Sequence, residues 1–279
     1  MASSIAERIA ERMDELSTGE RRAAQALIGD YPMIGLETVA DYARRAGVSS
    51  PTILRFIGRI GFAAYADFQA GLKEELAEQL QSPLSRSQNQ PSAAPGETAS
   101  PMVRATLDNI AETMRHVGPR QIAEVAEIFS TPRSRLYLVG GRFTDPIARY
   151  MAAHLALIRP DVVHLTGQES AWRDRLVDMG RRDALVLFDI RRYQDGLLDV
   201  ARAAHRRGVR VVLVTDQWLS PIARFATQVL PGRTAVPSPW DSSASLFVLA
   251  ELIIAETTRA LGATGAERIR AIEDTRHEP

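Results

Sequence analysis

The sequence contains no cysteine, which removes disulfide frameworks, thiolate nucleophiles and cysteine-ligated zinc sites in one step. Lysine is almost missing: of the 34 basic residues only Lys73 is not arginine. GC-rich codon usage explains that skew as readily as any demand for guanidinium chemistry. No apolar run is long enough to cross a bilayer, and the N-terminal stretch is charged and amphipathic. Neither a membrane span nor a signal peptide is expected, so a cytoplasmic location is the default. Catalytic signatures are also missing, with no P-loop, nucleophile elbow or paired-carboxylate motif. The five histidines, His116, His154, His164, His205 and His277, are scattered, and none stands at metal or proton-relay spacing from a carboxylate. No catalytic residue, metal site or cofactor is therefore expected.

What is present is an ordinary globular composition over 279 residues, 45% hydrophobic and 24% charged, long enough for two domains. The 34 basic and 34 acidic residues cancel, but not locally. Residues 1–37 carry net −3, residues 38–65 net +3 through Arg44, Arg45, Arg55 and Arg59 against Asp41, and residues 66–80 net −3. A basic island between acidic flanks is a weak footprint for nucleic acid, since phosphate binding needs positive charge on one face only.

Residues 1–80 read as helices. Ser4 with Glu7 and Ser17 with Glu20 are capping boxes, predicting helices over 5–16 and from 18 to just before Pro32. Residues 81–101, rich in proline and serine and poor in large apolar side chains, read as a flexible linker. From 102 to 262, helical and strand patterns alternate, with β-type runs at Leu136–Val139, Val162–Leu165, Ala184–Phe188, Val209–Val214 and Gln228–Leu230. Continuous apolar strands between helices predict a five-stranded parallel sheet in an α/β three-layer sandwich. Residues 263–279 are left as a C-terminal tail.

The run VADYARRAGVSSPTILRFIG, residues 39–58, has the packing grammar of a helix-turn-helix. Ala43 supplies the small contact residue, Gly47 the positive φ, and Val48, Ile53 and Phe56 the apolar anchors. Ser49 is placed to cap the second helix, with Pro51 in its first turn. Ser50, Thr52, Arg55 and Arg59 form its outward set, suited to base edges and phosphates of a major groove. The same grammar also fits an αα-corner that touches no DNA. Extended to ETVADYARRAGVSSPTILRFIGRIGFAAYADFQAGL, with Gly61-Phe62 and Phe68, the sequence resembles the N-terminal domain of the RpiR/MurR family of bacterial transcription regulators over about 1–78. That resemblance implies DNA binding by Ser49, Ser50, Thr52 and Arg55, with Arg59 and Tyr65 on the DNA backbone.

Residues 102–262 resemble a sugar isomerase (SIS) domain, the usual C-terminal partner in that family, most clearly at RGVRVVLVTDQWLSPIARFATQVL, residues 207–230. The resemblance implies a phosphosugar site at the C-terminal ends of the strands, yet most of its motif is altered. After the first strand stand Gly140, Gly141, Arg142, Phe143 and Thr144. Where the family has a serine-rich phosphate loop after the third strand, this chain has Asp189, Ile190, Arg191, Arg192, Tyr193 and Gln194. Two readings remain open. Arg142, Arg191 and Arg192 surround an anion with Asp189 orienting one of them, or Asp189 and an arginine form an ion pair in a site without a ligand. Gln194 and Ser242 complete the candidate ligand set, and Ser242 with Ser243 is placed to cap the last long helix. Trp172, Trp218 and Trp240 fall near the same strand ends, where they wall a pocket or cover an edge or interface. Glu169 is the best candidate base for an isomerase-type reaction.

The resulting expectation is a repressor-type or other transcription regulator with two kinds of partner: a double-stranded DNA operator and a small-molecule effector, a sugar phosphate, sugar acid or other anion. One recognition helix offers few contacts, so a homodimer or homotetramer is expected. The alternatives are a phosphosugar isomerase-like enzyme and a regulator with a vestigial sensor.

Overall fold

The computed structural model describes residues 3–89 and 99–277; residues 90–98 of the expected linker lie outside it. The N-terminal region is helical throughout. Helix α1 (Ile5–Arg12) and helix α2 (Thr18–Gly29) each open on a reciprocal capping box, Ser4 with Glu7 and Ser17 with Glu20. α1 is shorter than its periodicity predicts, because Met13–Glu15 tighten into a 3-10 turn. Then follow α3 (Met33–Leu36), α4 (Val39–Ala46), α5 (Ser50–Arg59) and α6 (Tyr65–Leu80). α2, α4 and α5 pack on one another around buried Ala23, Leu27, Tyr42, Ile53 and Phe56. Gly47, at φ 63°, ends α4 in the left-handed region and lets α5 leave at an angle. Within the expected linker, α7 (Pro83–Asn89) is helical.

The α/β region begins with α8 (Ala99–His116) and α9 (Pro119–Phe129), separated at Gly118-Pro119. It continues as β1 (Leu136–Gly140), α10 (Asp145–Ile158), β2 (Val162–His164), α11 (Glu169–Asp174), β3 (Ala184–Asp189), α12 (Asp195–Arg206), β4 (Arg210–Asp216), β5 (Gln228–Gly232) and α13 (Ala244–His277). All pairings are parallel, in the order β2-β1-β3-β4-β5. Thus the five-stranded sandwich expected from the alternating pattern is what the chain forms. α13 outruns its expected end: Gly262, at φ 50°, kinks it and helix resumes to His277, placing most of the expected tail in a helix. Trp172 lies on α11, between β2 and β3.

Alternate residues of each strand feed two cores. Leu138, Val186, Phe188 and Val212 face α9, α10 and α13. Tyr137, Val139, Leu187 and Leu213 face α12 and belong to one apolar cluster that continues into the helical region through Ile5, Ile9 and Phe56. Such strands, buried on both sides, read as unbroken apolar runs.

The two regions are joined by a buried ion pair. Arg233, just beyond β5, donates through Nε (2.7 Å) and Nη2 (2.6 Å) to the two carboxylate oxygens of Glu7 on α1, with side chains 7% and 3% exposed. Glu7 meanwhile accepts the Ser4 N–H at 2.7 Å as part of the capping box. Arg233 also offers its backbone: its N–H donates to Thr113 on α8, and its carbonyl accepts the Ser245 hydroxyl. A buried charge left without its partner is strongly destabilising, whereas replacing both partners is far milder. Glu7→Ala should lower unfolding stability by about 3–5 kcal/mol in urea denaturation, and the double change Glu7→Gln, Arg233→Met should recover much of it. A loss below about 1 kcal/mol would be the value of a solvent-exposed pair and would contradict burial.

Candidate functional site

Two places carry the chemistry. The first is the outer face of α5. Ser49 holds the N-cap position, but its hydroxyl meets the Thr52 hydroxyl at 2.9 Å rather than a backbone N–H. Thr52 is buried, its methyl 3.1 Å from where a Cβ on Gly19 would stand, and its hydroxyl accepts from Arg55 Nη2 at 3.1 Å. Thr52 therefore faces α2 and positions Arg55 instead of pointing outward. Leu54, Arg55 and Arg59 are exposed and Ser50 is half-buried. Arg59 lies 3.8 Å from buried Glu20. Tyr65 is turned inward, its hydroxyl donating to the carbonyls of Gly35 (3.1 Å) and Glu37 (3.0 Å). A further cation that the sequence pattern did not single out is Arg22 of α2, whose Nη2 lies 2.5 Å from where a Cβ on Gly47 would stand. It is exposed, and α2 brings it to the turn between α4 and α5.

The second place is the C-terminal edge of the sheet, where β1 and β3 lie side by side and the connections leave in opposite directions. Open α/β sheets hold ligands at such a switch point. Gly140 is required there, since a Cβ would come within 2.4 Å of the Asp145 nitrogen that opens α10. Gly141 is nearly as tight, 3.2 Å from the Gln194 side-chain oxygen. Thr144 is buried with its hydroxyl already engaged, accepting from Gly141 N–H (2.9 Å) and donating to the Phe188 carbonyl (2.5 Å). It ties β1 to β3 rather than facing solvent.

The arginines do not converge. Arg142 is exposed and lies over Phe143 at 5.2 Å, and Phe143 meets Trp240 edge-on at 6.0 Å. Arg192 is exposed. Arg191 alone turns inward: Nε donates to Asp241 Oδ2 at 2.7 Å, Nη2 to Asp241 Oδ1, and Nη1 to the Glu78 carbonyl of α6 at 2.9 Å. Its guanidinium stacks 4.4 Å above Trp218. Asp241 also takes Arg86 Nη1 of α7 at 3.0 Å. Among the described residues Asp189 pairs with no arginine, contrary to both readings of the loop. It accepts the Ser220 hydroxyl at 2.5 Å and the Gln194 N–H at 3.4 Å, because β4 beside β3 delivers Ser220 to it. Ser242 accepts from Ala244 N–H at 3.4 Å at the start of α13. The candidate base Glu169 is exposed, its carboxylate against Gly196 of α12.

Asp216, one strand over, is fully buried and accepts from Arg191 N–H (2.6 Å), Tyr193 hydroxyl (2.7 Å) and Trp218 N–H (3.1 Å). Burial pushes its pKa up to about 6, against hydrogen bonds that pull it down. Burial does the same to Asp189, to about 7, helped by the neighbouring Asp216 charge. Near neutral pH Asp189 is thus protonated about as often as not, which softens its repulsion toward an anion. Beside this cluster, under α1 and α6, a cavity of about 490 Å³ is bordered by Trp218 and Arg233 and walled by Glu74, Glu75 and Glu78. Its lining is acidic, the opposite of the Arg191–Arg86 corner.

A carboxylate whose folded pKa is raised binds protons more tightly folded than unfolded. Its effect on stability is most favourable below the unfolded value, 3.8 for Asp189, and is lost as pH rises toward about 7. Asp189→Asn should therefore gain stability relative to the parent between pH 4 and pH 7, by about 2–4 kcal/mol, in urea unfolding at each pH. A pH-independent difference would refute the raised pKa.

Comparison with known proteins follows this division. Residues 3–79 match the model of the helix-turn-helix domain of the rpiR family, and residues 129–255 match that of the SIS domain. The bifunctional protein glk of Burkholderia thailandensis is 27% identical over 236 residues, 82% of this chain and 35% of that protein. The chain thus spans about a third of the length of this curated relative. The sugar isomerase domain of an RpiR transcription factor from Sphaerobacter thermophilus superposes with a TM-score of 0.58, at 21% identity, over 62% of this chain and 96% of that one. The NanR protein of Vibrio vulnificus, complexed with ManNAc-6P, covers 98% of this chain and 97% of its own at 16% identity and a TM-score of 0.54. Two domain models matched in this order along one chain identify its parts: the protein carries a helix-turn-helix domain of the rpiR family followed by an SIS domain.

Proposed function

We propose that the protein is a transcription regulator that binds a double-stranded DNA operator through α5 and senses a small anionic sugar-related metabolite at the strand ends of its SIS domain. The observation that carries this reading is the uncovered cationic face of α5: Arg55 and Arg59 stay exposed while α1 packs on α8 and α2 on the Pro221–Phe225 turn. Ser49, Ser50 and Arg55 face the bases or adjacent phosphates, and Arg59 and Arg22 the DNA backbone. Thr52 and Tyr65 act by holding these groups in place. Two copies reading a two-fold operator supply the contacts a single helix lacks.

For the effector, the support is chemical and comparative. NanR, which shares the fold, is complexed with ManNAc-6P, and in this chain Gly140, Gly141, Arg191 and Gln194 lie at the C-terminal strand ends. Arg142, Arg192, Asp189 and Ser242 border the same edge. A sugar phosphate or sugar acid suits the guanidinium of Arg191, which forms bidentate bonds to either group. An isomerase role is not favoured, since Glu169 faces solvent against α12 with no fixed partner. The chain acts in the cytoplasm, where its operator is.

Arg55→Ala should weaken binding to the DNA upstream of the gene by about 1–3 kcal/mol and lower the salt dependence, measured by fluorescence anisotropy. Tyr65→Phe should change stability but not the salt slope. If Arg55→Ala leaves both affinity and slope unaltered, α5 is not the reading helix. In a thermal-shift screen of sugar phosphates and sugar acids, at least one should raise Tm in the parent but not in Arg191→Ala; equal shifts in both would remove Arg191 from the site.

A further inference from the structure

Asp241 stands where an effector's anionic group would be expected, between two inward-facing arginines. Oδ1 accepts from Arg191 Nη2 and from Arg86 Nη1, and Oδ2 from Arg191 Nε. The three side chains are 15%, 6% and 11% exposed, so this is a largely desolvated cluster in which two guanidiniums share one side-chain carboxylate. Their remaining donors go to neutral carbonyls, Arg191 Nη1 to Glu78 and Arg86 Nη2 to Val236. Asp216, a second carboxylate close by, is bound through the Arg191 backbone N–H. Four segments meet at this point: the end of α6, α7, the loop after β3, and the connection between β5 and α13. One carboxylate therefore fastens the segment leaving the helix-turn-helix domain to the sensor loop.

We propose that Asp241 is a tethered occupant of an oxyanion site formed by the Arg191 guanidinium, and that an incoming phosphoryl or carboxylate group displaces it there, frees Arg86 and so unfastens α7 from the sensor. The proposal deepens, and rests on, the sensing role given to this edge. Guanidinium forks bind planar carboxylates and phosphate oxygens with the same paired geometry, and Trp218 keeps the Arg191 plane fixed by stacking. An external anion gains what Asp241 loses. Without it, the 236–241 connection has no charged tie to α7 or to Arg191. A ligand can shift such an equilibrium only by the difference in its affinity for the two arrangements, and here that difference is the competition with Asp241.

The proposal is tested on the full chain with inorganic phosphate and acetate as probes, using Asp241→Asn and, should it fold poorly, Asp241→Ser. By calorimetry at low salt, Asp241→Asn should bind phosphate at least tenfold more tightly than the parent, and adding Arg191→Ala should abolish the gain. Arg86 is itself a trypsin site. Cleavage after Arg86, followed by mass spectrometry, should be slow in the parent, faster with phosphate, and fast in Asp241→Asn without any anion. Acetate acting like phosphate assigns a general oxyanion site, and phosphate acting alone assigns a phosphoryl site. Unchanged phosphate affinity together with unchanged cleavage in the Asp241 variants overturns the proposal. The sensing role is judged separately, by operator affinity: it fails if no anion alters DNA binding, even where Asp241→Asn frees Arg86 and gains phosphate.

Discussion

The Glu7–Arg233 pair is the constraint on which the arrangement of the molecule depends. Its two charges are almost wholly removed from water, so each is tolerable only while the other is in place. Glu7 is also the N3 residue of the α1 capping box, and Arg233 is anchored by its own backbone to Thr113 and Ser245. The start of the helix-turn-helix domain is thereby fixed to the C-terminal end of β5. Glu78 at the other end of that domain is held by Arg191 from the loop after β3. Two of the sheet's strand-end loops thus hold the helical region directly, at α1 and at α6.

This geometry gives the α/β domain a mechanical reason to carry altered phosphate-loop residues. The loop from Asp189 to Gln194 has exchanged small hydroxyl and glycine residues for side chains that fasten: Arg191 to Asp241 and α6, Tyr193 to Asp216, Gln194 against Gly141. Burial raises the pKa of both Asp189 and Asp216, Asp189 the more, which lowers the cost of placing an anion near it. The outer face of α5 stays free throughout. In the proposed reading, regulation does not cover the recognition helix but sets how it is presented, which in a dimer means the spacing and angle between two half-sites.

Much of the fold was legible in the sequence because its signals are local. Capping boxes at Ser4 and Ser17, the Gly118-Pro119 break and Gly47 each act within a few residues. The apolar strands announce burial on both faces without reference to partners. What stayed hidden depends on which distant residues meet. Thr52 has the position of an outward residue on α5, yet the close approach of Gly19 turns it toward α2. Asp189 was paired in expectation with an arginine of its own loop, but Ser220 from the next strand takes it and Asp241, far along the chain, takes Arg191. A proline- and serine-rich composition argued for a flexible linker, and no pattern in it marks Arg86 as the residue that reaches Asp241. Arg22 and Arg233 likewise show nothing in sequence beyond ordinary surface charge, and Glu7 nothing beyond its capping box.

The central claim is that ligand site and DNA-binding helix share one equilibrium, and linkage makes it measurable in both directions. The sugar phosphate or sugar acid that raises Tm would be titrated into the full chain by calorimetry with and without saturating operator DNA, beside anisotropy titrations of operator with and without that compound. The account predicts that the compound changes operator affinity and that operator changes the compound's affinity by the same factor, about 5–150-fold for a coupling of 1–3 kcal/mol. Identical compound affinity in the presence and absence of operator would contradict it.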